Sequence, residues 1–227
     1  MEKATTTTFT DTVNGIDLII IDEVNSGTPA CVFRELKENF YGIDNLDIKQ
    51  EDTILDVGAN TGIFSIYAKK LYGCRIVAFE PVSENFENFK KNIILNGFTL
   101  EDFEIHQVAI TNRDGDIIQI GTPINNSGGS SVYSTVRFHH DMDNITYTSE
   151  CVTESLRKYI DNSCVYLKMD CEGGEYEIIP DIVDKLKTFK WIGAELHVYT
   201  PDHDATGLLR IIRENFNGEL YSGVIKL

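Results

Sequence analysis

The stretch Thr53-Ile-Leu-Asp-Val-Gly-Ala-Asn-Thr-Gly62 constrains this chain most. An apolar run, Ile54 to Val57, meets two glycines spaced G-x-x-x-G. Apolar residues then recur at Ile63, Phe64, Ile66, Tyr67 and Leu71, which is helical spacing. The pattern predicts a strand, a tight turn and a helix. Such a turn lets backbone approach a ligand and aims free helix N–H groups at it. Eighteen residues past Gly62, the run Arg75-Ile-Val-Ala-Phe79 ends at Glu80. An acidic side chain at that strand tip is placed to accept hydrogen bonds from ribose hydroxyls.

Two nucleotide-type readings compete for the turn. A dinucleotide fingerprint needs G-x-G-x-x-G, but Ala59-Asn60 follows the first glycine, so the middle glycine is missing. The acidic start, Asp56-Val-Gly-Ala-Asn-Thr-Gly62, is similar to the first motif of class I S-adenosylmethionine-dependent methyltransferases. A strand–turn–helix corner of some other α/β protein has the same local pattern.

The 227 residues suffice for one α/β domain with a buried core. A net charge of −16 argues against a nucleic-acid partner, which calls for a basic footprint. The segment Met1 to Thr8 has no apolar core, and no run approaches membrane-spanning length. Five cysteines without C-x-x-C spacing disfavour zinc ribbons and disulfide frameworks. A cytoplasmic protein without a membrane span is the expectation. The N-x-S/T matches at Asn125 and Asn144 carry no weight without a secretion route.

Residues 1–50 read as an N-terminal extension that caps the ligand site or packs beside it. Within it, residues 1–15 are a frayed end or an edge strand, Ile16–Ile21 is a strand, and Arg34–Tyr41 is a short helix. Ser83 is placed to cap a helix running to Asn96, with Phe86, Phe89 and Ile93 on one face. Phe103–Ile110 is the third strand of an alternating βαβ pattern, which implies a doubly wound, mostly parallel sheet. Residues 112–152 break the alternation and read as an antiparallel β insertion, with Asn112–Gly115 a turn and Ser131–Phe138 and Thr146–Val152 strands. His139-His-Asp-Met-Asp143 resembles a metal cluster in composition, yet neighbours on a strand face opposite ways; a solvated loop fits better. Glu154–Ile160 is expected to be helical, Val165–Asp170 a buried strand, and Tyr176–Ile179 a helix start interrupted at Pro180. Trp191–Val198 is the fifth parallel strand, Ala205–Phe216 the last helix, and Leu220–Ile225 closes the sheet.

Ligands of open parallel sheets bind beyond the strands' carboxyl ends. The polar residues there are Asp56, Glu80, Asp170 with Glu172, and Glu195 with His197. They come from four strands and converge on one crevice. In order along the chain, Asp56–Gly62, Phe79-Glu-Pro81, Leu167-Lys-Met-Asp-Cys-Glu-Gly-Gly-Glu175 and Glu195-Leu-His197 resemble the FkbM family of methyltransferases. Phe33-Arg-Glu-Leu, Tyr41 and the pair Ser130-Ser131 also look like that family, so the resemblance covers roughly residues 33–200. It departs at Gly174, where the family often has alanine.

The resemblance implies a class I S-adenosylmethionine fold and O-methyl transfer to a hydroxyl of a sugar, glycolipid or polyketide-type natural product. It implies cofactor contacts at Asp56, Gly58, Ala59, Asn60, Thr61, Gly62, Glu80, Pro81, Val108, Ala109 and Asp170. Methyl transfer to a hydroxyl needs in-line placement and gains from a general base. By residue type His197 suits that role if neutral, and a structural histidine fits equally. Alternation puts Glu195 and His197 on one side of their strand, toward the crevice. Asp170 and Glu172 are the other catalytic candidates: as base, as anchors for the cofactor's methionine end, or, with Glu195, as ligands of Mg²⁺. A cofactor-binding protein or docking subunit without turnover is the alternative. The acceptor and the oligomeric state are not encoded legibly.

Overall fold

The computed structural model describes residues 5–123, 126–133 and 145–226. The chain begins with an antiparallel hairpin of β1 (Thr6–Val13) and β2 (Ile16–Glu23), closed by Asn14-Gly15 with φ of 49° and 84°. Asn-Gly is the residue pair that a two-residue turn with both φ positive demands. Helix α1 (Thr28–Lys37) starts six residues before the expected Arg34. Pro29 sits in its first turn, where the missing N–H costs nothing and the fixed φ is already helical.

The glycine turn joins β3 (Thr53–Val57) to α2 (Ile63–Tyr72), and β4 (Arg75–Phe79) leads to α3 (Ser83–Leu95). Ser83 is the first helical residue, not the cap. Val82 holds the cap position, and its N–H is satisfied by Glu80 Oε1 at 2.9 Å. The expected third strand is two strands, β5 (Glu104–His106) and β6 (Ala109–Thr111), which belong to different sheets. After β7 (Ile117–Pro123), β8 (Ile145–Ser155) runs on where a helix was expected from Glu154; only one 3-10 turn, Leu156–Tyr159, follows. Then come β9 (Cys164–Met169), α4 (Glu175–Asp181) with Pro180 inside it, β10 (Trp191–Val198), α5 (Ala205–Asn215) and β11 (Glu219–Lys226).

The main sheet has six parallel strands in the order β11-β10-β9-β3-β4-β5. Its central strands β3 and β9 are buried along their whole length, as a sheet covered on both faces requires. On one face the hairpin, α1, α2 and α3 contribute Leu18, Ile20, Phe33, Leu36, Ile66 and Phe89 to one core. On the other face α4 and α5 contribute Ile178, Ile179, Leu208 and Ile212 to a second core. The fold is doubly wound, and the winding reverses between β3 and β9. A crevice at such a switch point is where α/β sheets bind ligands.

The insertion forms a separate sheet, β6-β8-β7. β7 pairs antiparallel with β8, but β6 pairs parallel with it. The insertion is therefore not wholly antiparallel, and it extends past 112–152 at both ends. Ser131 makes one bridge to Gly121, and 132–133 is a turn, not strand. The rest of the Ser131–Phe138 run, the His139–Asp143 cluster, Asn125 and Asn144 lie outside the described residues. Among the described residues, no helix is long and apolar enough to cross a membrane. All five cysteines are unpaired.

Candidate active site

A cavity of about 400 Å³ opens at the carboxyl ends of β3, β4 and β9. Gly58, Ala59, Asn60, Glu80 and Pro81 line it on one side, and Asp170 with Glu172 on another. Val108 and Ala109 line it too, and the insertion adds Ile118 and Ile120. Of the remaining cofactor candidates, Asp56 is 0 % exposed beneath the turn and Thr61 is also buried; neither lines the cavity, nor does Gly62. Glu195 and His197 stand behind the Asp170–Glu172 wall and do not line it.

The turn's own N–H groups are already spent. Those of Gly58 and Ala59 donate to the Phe79 carbonyl, Asn60 to Glu80 Oε2 at 2.8 Å, Thr61 to Asn60 Oδ1 at 2.7 Å, and Gly62 to the Ala59 carbonyl. Residues 58–62 therefore offer no free N–H of their own. The Glu80, Asp170 and Glu172 side chains lining the cavity fit a cofactor that carries positive charge on sulfur and amine. Gly58 has φ of +78°, and a Cβ there would lie 1.8 Å from the Asp170 carbonyl oxygen. The two strand exits at the switch point meet at that glycine.

Glu80 accepts three hydrogen bonds, from Asn60 N, Val82 N and Asn85 Nδ2. A carboxylate has about four acceptor positions, so one remains, on Oε2. Burial pushes its pKa up to about 7, against the lowering effect of those donors.

Lys168 went unassigned on sequence, although a lysine inside an apolar strand two residues from Asp170 is a legible signal. It is 4 % exposed, and its Nζ donates to the Gly58 carbonyl at 2.7 Å. Asp56 lies 3.3 Å away and Asp170 3.8 Å away. Burial disfavours the ammonium, but Asp56 and Asp170 outweigh it and raise the pKa. Tyr41, buried, donates its hydroxyl to Asp170 Oδ2 at 2.9 Å. The backbone Asn126–Ser131 ties both sides together. The Ser127 carbonyl accepts from Asn60 Nδ2 at 2.9 Å and Asn85 Nδ2 at 3.1 Å, and Ser131 Oγ donates to the Glu172 carbonyl at 2.6 Å. Neither Asn85 nor Ser127 was picked out on sequence, because each acts through a partner distant in the chain.

Glu172 has φ of +52°, a conformation that costs a non-glycine residue energy and clusters at functional sites. Glu175, fully buried, accepts from Cys171 N and Gly173 N at 3.0 Å each, which fixes the turn that carries Glu172. His197 Nδ1 lies 3.5 Å from Glu175 Oε1, and Nε2 lies 3.7 Å from Glu172 and 4.0 Å from Glu195. Burial alone would lower the His197 pKa. Glu175, Glu172 and Asp170 reverse that and take it to about 9, so the ring is charged at neutral pH rather than neutral as a base requires. Burial, then Asp170, pushes the Glu195 carboxyl up.

The model of the methyltransferase FkbM domain matches residues 56–213. Methyltransferase 1 of Beauveria bassiana (strain ARSEF 2860) is 24 % identical over 149 residues, 58 % of this chain and 59 % of that protein. Methyltransferase sdnD of Sordaria araneosa is 36 % identical over 67 residues, 29 % of this chain and 25 % of that protein. The chain thus matches less than two thirds of either relative's length. Among solved structures, the SAM-dependent methyltransferase from Agrobacterium tumefaciens aligns over 99 % of this chain and 62 % of its own, with 11 % identity and a TM-score of 0.48. The family match spans well over half of the chain, from the glycine turn through Glu80 and Asp170 to His197. This chain belongs to the FkbM family of methyltransferase domains.

Proposed function

We propose that the chain is one S-adenosylmethionine-dependent methyltransferase domain, working in the cytoplasm on a hydroxyl of a small molecule or glycan. The observation that supports this reading is the shared cavity: the glycine turn and Glu80 line one side, Asp170 and Glu172 another. When bound, S-adenosylmethionine supplies a sulfonium-activated methyl group. Glu80 offers its remaining acceptor position to a ribose hydroxyl. Asp170, held by Tyr41 and Lys168, gives the opposite wall a fixed negative charge that suits a cationic cofactor.

We assign the acceptor's proton to Glu172. It lines the cavity, whereas His197 lies behind it and is charged by its neighbours. The strained Glu172 backbone, pinned by Ser131 and the Glu175 turn, holds that carboxylate in place. The test is transfer from methyl-labelled S-adenosylmethionine across a panel of sugars, glycolipids and hydroxylated polyketides. Glu172→Gln is expected to lower turnover by about 10²–10⁴-fold, the usual contribution of a positioned base, with cofactor affinity unchanged. Transfer only to amines would overturn the acceptor class. Normal turnover in Glu172→Gln would overturn the assignment of the base.

A further inference from the structure

At the Asp170–Glu172 wall, Asp170 meets two side chains that the methyl-transfer reading leaves without a task, Glu195 and His197. One oxygen of Asp170, one of Glu195 and one ring nitrogen of His197 all lie within 4.8 Å of one another. An ion with bonds of about 2.1–2.4 Å needs its donors roughly 3–4.8 Å apart, so the three stand close to ligand spacing. Glu195 and His197 lie in β10, and Asp170 directly follows the adjacent strand β9.

The histidine supplies a second, independent observation. His197 is 4 % exposed, and its Nδ1 makes no hydrogen bond. Its Nε2 points at carboxylate oxygens 3.7 and 4.0 Å away, too far for a hydrogen bond. A buried imidazole whose Nδ1 is unsatisfied is costly by itself. A cation bound at Nε2 fixes the ring proton on Nδ1, where it faces Glu175. Glu175, beside Nδ1 at 3.5 Å, occupies the place of the outer carboxylate that orients a metal-bound histidine. Among the described residues, Tyr41 and Lys168 engage Oδ2 of Asp170, which leaves Oδ1 for a metal. The Lys168 charge is the opposing factor at 3.8 Å. It is directed first to the Gly58 carbonyl and to Asp56, both nearer.

We propose that Asp170, Glu195 and His197 bind one divalent cation at the edge of the cavity. Two carboxylates with one imidazole favour a first-row ion such as Mn²⁺ over the Mg²⁺ that an all-carboxylate set would take. Of the three, Asp170 lines the cavity beside Glu172, so an ion there would be placed to hold and polarise an acceptor oxygen at that wall. Metal binding is read here without turnover, so it stands or falls apart from the methyl-transfer reading.

The experiment titrates the full chain with Mn²⁺ alone, following loss of the free-ion paramagnetic resonance signal. One saturable site is expected, with Mg²⁺ competing at least about tenfold more weakly. Glu195→Gln and His197→Gln should each weaken Mn²⁺ by about tenfold or more, while Asp116→Asn on an exposed turn leaves it unchanged. Pulsed resonance on the unaltered protein gives a readout that survives misfolded variants: the bound Mn²⁺ should carry a ¹⁴N coupling from one imidazole. Absence of saturable binding, or bound Mn²⁺ without that coupling, would overturn the proposal. Mn²⁺ affinity equal to the parent's in both variants would do so too.

Discussion

At the scale of single residues, Glu80 does most with least exposure. Its three donors and its burial pull in opposite directions, and burial wins, leaving a pKa of about 7 against an ordinary 4.5. The folded chain therefore holds a proton that the unfolded chain releases, and Glu80 costs stability progressively as pH rises from about 4.5 to 7. Cofactor binding has the opposite sign. In the proposed contact a ribose hydroxyl would donate to the carboxylate, favour the ionised form and expel the proton at low pH. Affinity for S-adenosylhomocysteine is expected to rise between about pH 6 and 8, and the rise should vanish in Glu80→Gln. Calorimetry at several pH values checks it; the same pH dependence in both proteins would remove Glu80 from the ribose contact. Glu80 was legible in the sequence because a strand end and an acidic residue are both local facts. Lys168 was on the page as well, but its partners Asp56 and the Gly58 carbonyl lie on another strand, and only register joins them.

At the scale of elements, α3 shows how a helix can serve a strand. Its apolar face was readable from Phe89 and Ile93, both buried. The polar row beside it, Asn85, Asn88, Asn92 and Asn96, follows the same helical spacing and went unread because asparagine ordinarily marks a solvated face. Here the row faces inward. Asn92 accepts from Ile21 N at 2.6 Å and donates to the carbonyls of Ile21 and Thr61; Asn96 accepts from Ile19 N and donates to the Ile19 carbonyl. The amides pair with the edge of β2 as a neighbouring strand would, and so cover an otherwise open edge. Asn92→Leu strands the Ile21 N–H and the Thr61 carbonyl. It is expected to cost about 1–3 kcal/mol in denaturant melts, the scale of an unmet buried hydrogen bond. The half-exposed Asn96→Ala should cost less, and an Asn92→Leu protein as stable as the parent would contradict this account. The insertion escaped the sequence for a related reason. Alternation identifies strands and not partners, so the parallel pairing of β6 with β8 was not encoded locally.

At the scale of the whole molecule, the N-terminal hairpin and the cavity are one mechanical unit, joined through Asp22. This residue, at the end of β2, is fully buried, and burial pushes its carboxyl upward despite its donors. Oδ2 accepts from Ser26 Oγ at 3.1 Å and from Ser127 Oγ at 3.0 Å, while Oδ1 accepts from Glu23 N at 2.7 Å. Thr28, opening α1, adds a bond to the Gly128 N–H at 3.0 Å. Ser127 is the residue whose carbonyl takes both Asn60 and Asn85 beside Glu80. A carboxylate outside the cavity lining therefore sets the backbone that fixes the glycine turn. If the loop is held in advance, binding does not have to order it. Asp22→Ala removes the shared acceptor from Ser26 and Ser127, an interaction on the scale of about 1.5–3 kcal/mol for a charged partner. Where that energy orders the loop, S-adenosylhomocysteine affinity should fall by roughly 10–100-fold. Hydrogen exchange supplies the second readout. In the parent chain, amides 126–131 should be protected before ligand is added; in Asp22→Ala they should exchange quickly until S-adenosylhomocysteine is bound. Equal affinity together with unchanged exchange in 126–131 would mean that the hairpin packs against the sheet without reaching the site.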